Sequence, residues 1–202
     1  MRYSDTQKGR SMIEVIGYMG VFMVLIAGVG RLVANAFEDY KYSRASLQLG
    51  DLAAAVTRAA AVDGNYADVV KEDRWKRYVP DTFRKKNNKY YHAFGGEMSM
   101  SCASDSETCA KFTITFSGLN KKQCVELAMK DWSKNKTVSL DKMQIDNTNV
   151  WCWHNCSKKF PVQRHQVEGV DDTSNAACGK DKDSTGEQIG EQKNKKIIWT
   201  FN

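Results

Sequence analysis

The sequence predicts an α+β protein: a long N-terminal spine helix, half apolar and half amphipathic, packed on the antiparallel sheet of a single head. Three observations predict it. An apolar run from Ser11 to Gly30 passes without a proline into a helical face marked by Ala45, Leu49, Leu52, Val56 and Ala59. Two segments alternate strictly, Phe112, Ile114, Phe116 and Ile197, Trp199, Phe201. Between them, Asn120 with Gln123 three positions on announces a capped helix.

The apolar run carries one charge. From Ser11 to Gly30 the only ionisable carboxylate or ammonium is Glu14. At about 1.5 Å per residue the run is just long enough to cross a hydrocarbon core of roughly 30 Å. A carboxylate in a membrane span costs roughly 2.5–3.5 kcal/mol, so a functional partner is the default expectation. An α-amine exposed by a cut after Gly9 is such a partner. A secretory signal peptide fits poorly, because its apolar region is shorter and ends at a small-residue cleavage site. Arg2, Lys8 and Arg10 flank the run on the side that the positive-inside rule places in the cytoplasm. Arg31 is expected to snorkel to the far interface.

Beyond the membrane the steps of four, three, four and three from Ala45 to Ala59 define one buried face, with Arg44, Gln48, Asp51 and Arg58 placed largely elsewhere. One helix is therefore expected from about Ser11 to Ala61, ending near Asp63-Gly64-Asn65. Gly17, Gly20, Gly28 and Gly30 weaken its membrane half. Residues 65 to 110 read as an irregular connection with short elements. Within it Arg84-Lys85-Lys86 and Lys89, with Tyr90, Tyr91 and Phe94, form a basic cluster that reads as a solvated loop before it reads as a nucleic-acid contact. A strand over Phe112–Ser117 closes at Gly118, a short helix runs from the Asn120 cap to about Trp132, a further strand covers 136–146, and a terminal strand completes the sheet.

Composition agrees with one folded head on a stalk. The 202 residues are 42% hydrophobic and 10% aromatic, enough for one core outside the membrane, and two prolines argue against long linkers. The net charge of +6 falls to about +5 without residues 1–9 and does not by itself name nucleic acid as a partner. Six cysteines in an exported head suggest disulfides, with fifteen pairings open. A metal reading of Trp151-Cys152-Trp153-His154-Asn155-Cys156 lacks a second ligand pair, since His92 and His165 offer none. Asp171, Asp172, Asp181 and Asp183 lack EF-hand spacing. No phosphate loop, zinc-protease or nucleophile-elbow motif is present, so neither enzyme nor cofactor is expected.

Gly9 followed five positions later by Glu14 at the head of an apolar helix resembles the processing and assembly signal of type IV prepilins and the related pseudopilins. The resemblance implies cleavage after Gly9 by prepilin peptidase, a mature chain beginning at Arg10, and Glu14 meeting the N-terminal amine of a neighbouring subunit. Arg10 departs from the family, whose first mature residue is commonly apolar and N-methylated. The order of strand, cysteine-bearing helix, strand, late cysteine and final Ile-Trp-Thr-Phe strand is similar to the heads of IVb-class pilins. That likeness implies a Cys124–Cys178 disulfide, after which Cys102–Cys109 and Cys152–Cys156 become local staples. It implies three regions: a 1–9 leader, a 10–35 transmembrane and filament-core helix, and a 36–202 extracytoplasmic head. The implied protein waits in the bacterial inner membrane, works with the pilus assembly machinery, and becomes a homo-oligomeric surface filament for adhesion, aggregation, motility or transfer. A minor pilin or pseudopilin shares the N-terminal signal. A membrane-anchored adhesive module that never polymerises is the alternative from another class, and it makes Glu14 dispensable.

Overall fold

A computed structural model describes residues 12–103, 109–132, 139–146, 148–152, 162, 178 and 195–202. The leader expectation, with Gly9 and Arg10, lies outside these residues, as do His154 and Cys156. The chain forms two compact units, 1–40 and 41–202.

The first unit contributes the start of helix α1, which runs Met12–Asp63 without interruption through Gly17, Gly20, Gly28 and Gly30. Its large apolar side chains are exposed, from 41% at Val15 to 85% at Met12. A surface of that kind is stable only against lipid or other apolar helices.

In the second unit α1 turns amphipathic. Ala45, Leu49, Leu52 and Val56 are buried at the predicted spacing. Gln48 corrects the sequence reading: it is only 1% exposed, because its amide bonds two backbone groups of the head. The helix stops where Gly64 adopts φ +85° and its N–H bonds the Ala60 carbonyl at 2.8 Å. Asn65 at once starts α2 (Tyr66–Val70), its side chain accepting from the Asp68 N–H. A 3₁₀ segment follows, Lys71–Arg77, broken by left-handed Glu72 and Asp73 and anchored by buried Trp75.

Strands β1 (Arg84–Lys86), β2 (Lys89–Tyr91) and β3 (Glu97–Cys102) replace much of the expected irregular connection. Asn87 and Asn88, both at positive φ, make the two-residue β1–β2 turn. Strand β4 (Phe112–Leu119) continues beyond Gly118, which takes φ +71° where the register with its neighbour shifts. Helix α3 (Lys121–Met129) opens with both halves of the capping box, Asn120 and Gln123, and ends earlier than expected. Trp132 instead folds back, its indole N–H donating to the Leu127 carbonyl. Strand β5 (Leu140–Ile145) starts later than the expected 136; β6 (Thr148–Cys152) was not anticipated.

Strand β7 (Lys195–Phe201) is not at an edge. The seven strands lie in the order β1-β2-β3-β4-β7-β5-β6, every pairing antiparallel. Pleating puts alternate residues of paired strands on one face. Three apolar rows result: Met98, Phe116, Ile197 and Ile145; Met100, Ile114, Trp199 and Met143; and Phe112, Phe201 and Leu140. These residues join the buried face of α1 and Cys124, Val125, Leu127 and Ala128 of α3 in one core. Trp199 sits within 5.2 Å of Phe116 and 5.7 Å of Trp132, both edge to face.

Candidate assembly site

Among the described residues, the apolar surface from Met12 to Gly30 carries one ionisable carboxylate. Glu14 lies in the first turn of α1, exposed between Met12, Ile13, Val15 and Ile16. A helix N-terminus carries partial positive charge, which favours a carboxylate there and leaves its outward side ready for a cation. The helix is long and apolar enough to cross a membrane, with a mean hydropathy of 2.1 over its most apolar 18 residues.

In the head, the α1 segment from Lys41 onward is held by a polar clasp. Gln48 Nε2 donates to the Thr82 carbonyl at 2.6 Å, and Gln48 Oε1 accepts from the Ala93 N–H at 2.9 Å. Arg44 Nη2 also donates to the Thr82 carbonyl, at 3.1 Å. Tyr42 meets Phe94 edge to face at 5.0 Å. One helix face thus holds both ends of the β1–β2 hairpin region. A lone glutamine within a leucine and alanine face was the available signal; its partners, being backbone groups, carry none in sequence.

A second buried polar centre lies nearby. His92 Nε2–H donates to the Ser117 carbonyl at 2.9 Å, and its Nδ1 accepts from the Phe94 N–H at 3.3 Å. The ring stacks on Phe116 at 4.7 Å. Burial pushes its pKa down to about 4, against the opposing effect of the Ser117 bond, so the imidazole is neutral at ordinary pH. Gly96 makes this possible, since a Cβ there would stand 1.8 Å from the Ser117 oxygen.

Among the described residues, two disulfides close the head. Cys124 of α3 is bonded to Cys178, and Cys102 of β3 to Cys109. Cys152 ends β6, and its expected partner Cys156 lies outside the described residues. No group of three potential metal ligands occurs among the described residues.

The basic cluster is an edge rather than a loop. Arg84, Lys85 and Lys86 form β1, all three exposed, with Lys85 Nζ 5.5 Å from the Tyr90 ring centre. Tyr90 is buried, its hydroxyl donating to the Lys76 carbonyl. Lys89 pairs with Glu97 at 2.9 Å, which holds its pKa above the usual lysine value. An open cleft of about 410 Å³ lies among Asp63, Asp68, Arg74, Arg77 and Tyr78. The Arg74–Asp68 pair across it, at 3.7 Å, is well exposed, as on a solvated surface.

A long apolar N-terminal helix and a disulfide-closed head, with α1 residues laid on an antiparallel sheet, define a pilin-like α+β protein with one candidate membrane span among the described residues. The family model described as PilS N terminal matches residues 43–202. The chain belongs to this type IV pilus-related family. No curated protein matches it significantly. The matched region begins after the apolar run, so the family is carried by the head and the N-terminal signal stands as a separate observation.

Proposed function

We propose that this chain is a structural subunit of a type IV pilus, processed after Gly9 and polymerised through the apolar half of α1. Its role is assembly, not catalysis. The observation that carries the reading is the continuous, exposed apolar surface of Met12–Val33 bearing a single acid in its first turn. Moving one large apolar side chain out of water contributes about 1.5–3 kcal/mol, so a bundle of such helices is a strong filament core. In the inner membrane lipid covers the same surface.

Glu14 makes the bundle selective. Removing the leader creates an α-amine at Arg10, and a neighbouring Glu14 in register offsets that charge in low dielectric. Unprocessed or misregistered subunits leave the carboxylate unpaired. Glu14→Ala is expected to insert into the membrane at least as well as wild type, since a costly charge is gone, and to build few filaments. Counting filaments by electron microscopy at matched membrane levels tests this, with mass spectrometry of the mature N-terminus. Equal counts, or an intact Met1 on surface protein, would leave a membrane-anchored module that does not polymerise.

A further inference from the structure

The turn that joins β2 to β3 commits its first four amides, two of them within the turn itself. The His92 N–H donates to the Gly96 carbonyl at 3.0 Å, and the Gly95 N–H to the His92 carbonyl at 2.8 Å. The other two reach further. Ala93 N–H is held by Gln48 Oε1 of α1, and Phe94 N–H by Nδ1 of the His92 ring. The Phe94 ring meets both sides as well, standing 5.0 Å from Tyr42 of α1 and 5.9 Å from His92. The turn is therefore gripped by α1 and by a buried imidazole at once.

That imidazole has no place for a second proton. Nε2–H already donates to the Ser117 carbonyl, so a proton can enter only at Nδ1, where it turns an acceptor into a donor facing the Phe94 N–H. The bond to Phe94 is then lost. Around the ring, β4 presents Phe116 and the Ser117 carbonyl, the turn presents Phe94 and Gly96, and the adjoining α1 residues are the neutral Gln48 and the phenol Tyr42. Of the charged groups on these elements, Arg44 bonds the Thr82 carbonyl, and Lys89 and Glu97 bond each other. Among the described residues no carboxylate contributes to the titration of His92. The face of Phe116 attracts an imidazolium, but one aromatic ring does not replace a water shell.

We infer that the 92–96 turn is an acid-sensitive latch: protonation of His92 ejects its ring and lifts the turn from Gln48, while the sheet and the disulfides stay closed. What the step breaks is local. It gives up the Gln48–Ala93 bond, the Tyr42–Phe94 contact and the two bonds of the ring, and leaves the pairings of β4 with β3 and β7 in place. In acid α1 thus keeps its apolar face on the head but loses the part of its polar clasp that Ala93 supplies. The latch belongs to a single head and does not depend on the filament reading.

Amide hydrogen exchange by NMR tests it, on the full chain in micelles between pH 7 and pH 4, with rates corrected for the intrinsic effect of pH. Ala93 and Phe94 are expected to share one protection factor, at least about tenfold below those of Ile114 and Ile198 in the central strands. A ring that titrates at about 4 when docked and at its ordinary 6.5 when ejected makes that factor fall about 100-fold over the range. His92→Gln keeps a donor toward Ser117 without a titrating group, and is expected to hold the turn's protection within about threefold. Loss at Phe94 with Ala93 unchanged would overturn the latch, since the ring would titrate without moving the turn. Equal protection of turn and strand amides at every pH would also overturn it, by assigning the opening to global unfolding. A His92→Gln chain that retains the full fall would assign the proton to another group. If that variant does not fold, the ring carbon shifts of wild-type His92 decide instead, and a midpoint near 6.5 in the closed head would end the proposal.

Discussion

Gln48→Ala isolates the clasp between α1 and the head. The amide makes two bonds, but the two partners are not left equally exposed to loss. The Thr82 carbonyl keeps Arg44 Nη2 at 3.1 Å, so its acceptor stays satisfied. The Ala93 N–H loses its Gln48 partner in a half-buried setting. A lost hydrogen bond costs about 0.5–1.5 kcal/mol, and a stranded donor about 1–3 kcal/mol. Gln48→Ala is thus expected to destabilise the head by about 2–3 kcal/mol, the lower part of the combined range, because water reaches part of the Ala93 site. Arg44→Ala should cost under about 0.5 kcal/mol, since Gln48 still serves Thr82 and the guanidinium is exposed. The double variant should cost more than the sum, by about 1 kcal/mol, because only then is the Thr82 carbonyl bare. Guanidinium unfolding of the full chain in micelles, followed by tryptophan fluorescence with disulfides intact, measures all three. Additive losses, or a Gln48→Ala loss below about 0.5 kcal/mol, would refute this account of the clasp.

The two disulfides should differ in worth: replacing the Cys124–Cys178 pair, separated by 54 residues, should cost about 4 kcal/mol, and the Cys102–Cys109 pair, separated by 7, about 2.5 kcal/mol. Equal losses in guanidinium would show that chain entropy is not the source. His92 has a folded pKa of about 4, below its usual 6.5, so the unfolded chain binds the extra proton between those values. Its contribution is therefore full above pH 6.5 and lost as pH falls toward 4, by up to about 3 kcal/mol; His92→Gln should remove that part of the slope, and an unchanged slope would discount it. Gly96→Ala should cost more than about 2 kcal/mol, because the methyl meets the rigid Ser117 carbonyl rather than a movable side chain; a melting temperature within a degree of wild type would contradict the packing.

Periodicity made the long helix and the core strands legible. Leu49, Leu52 and Val56, and likewise Ile197, Trp199 and Phe201, repeat at intervals that only one secondary structure can bury on one side. The Asn120 cap was legible for a local reason, as both its bonds close within four residues. Three things were not. Strands β1 and β2 are three residues each, too short for any period, and β1 is wholly charged. Gln48 is polar by identity and buried by circumstance, since its partners Thr82 and Ala93 lie 34 and 45 positions away. The central place of β7 follows from pairing with both β4 and β5, a long-range choice that alternation within the strand does not encode.

That central place orders the birth of the head. Strand β7 comes last of the seven from the ribosome, yet it is the seam between β1-β2-β3-β4 on one side and β5-β6 on the other. Until it arrives, β4 and β5 each present an open edge, and the rows through Phe116, Ile114 and Phe112 lack Ile197, Trp199 and Phe201. Pairing across such sequence distances is slow, so the half-built sheet persists as an aggregation-prone species in need of shelter. A chain cut short between Asp63 and Lys195 retains all of α1 but lacks the strand that joins the two parts of the sheet. The fold thereby reports its own completion, and a subunit whose synthesis was interrupted is distinguishable from a finished one by its surface alone.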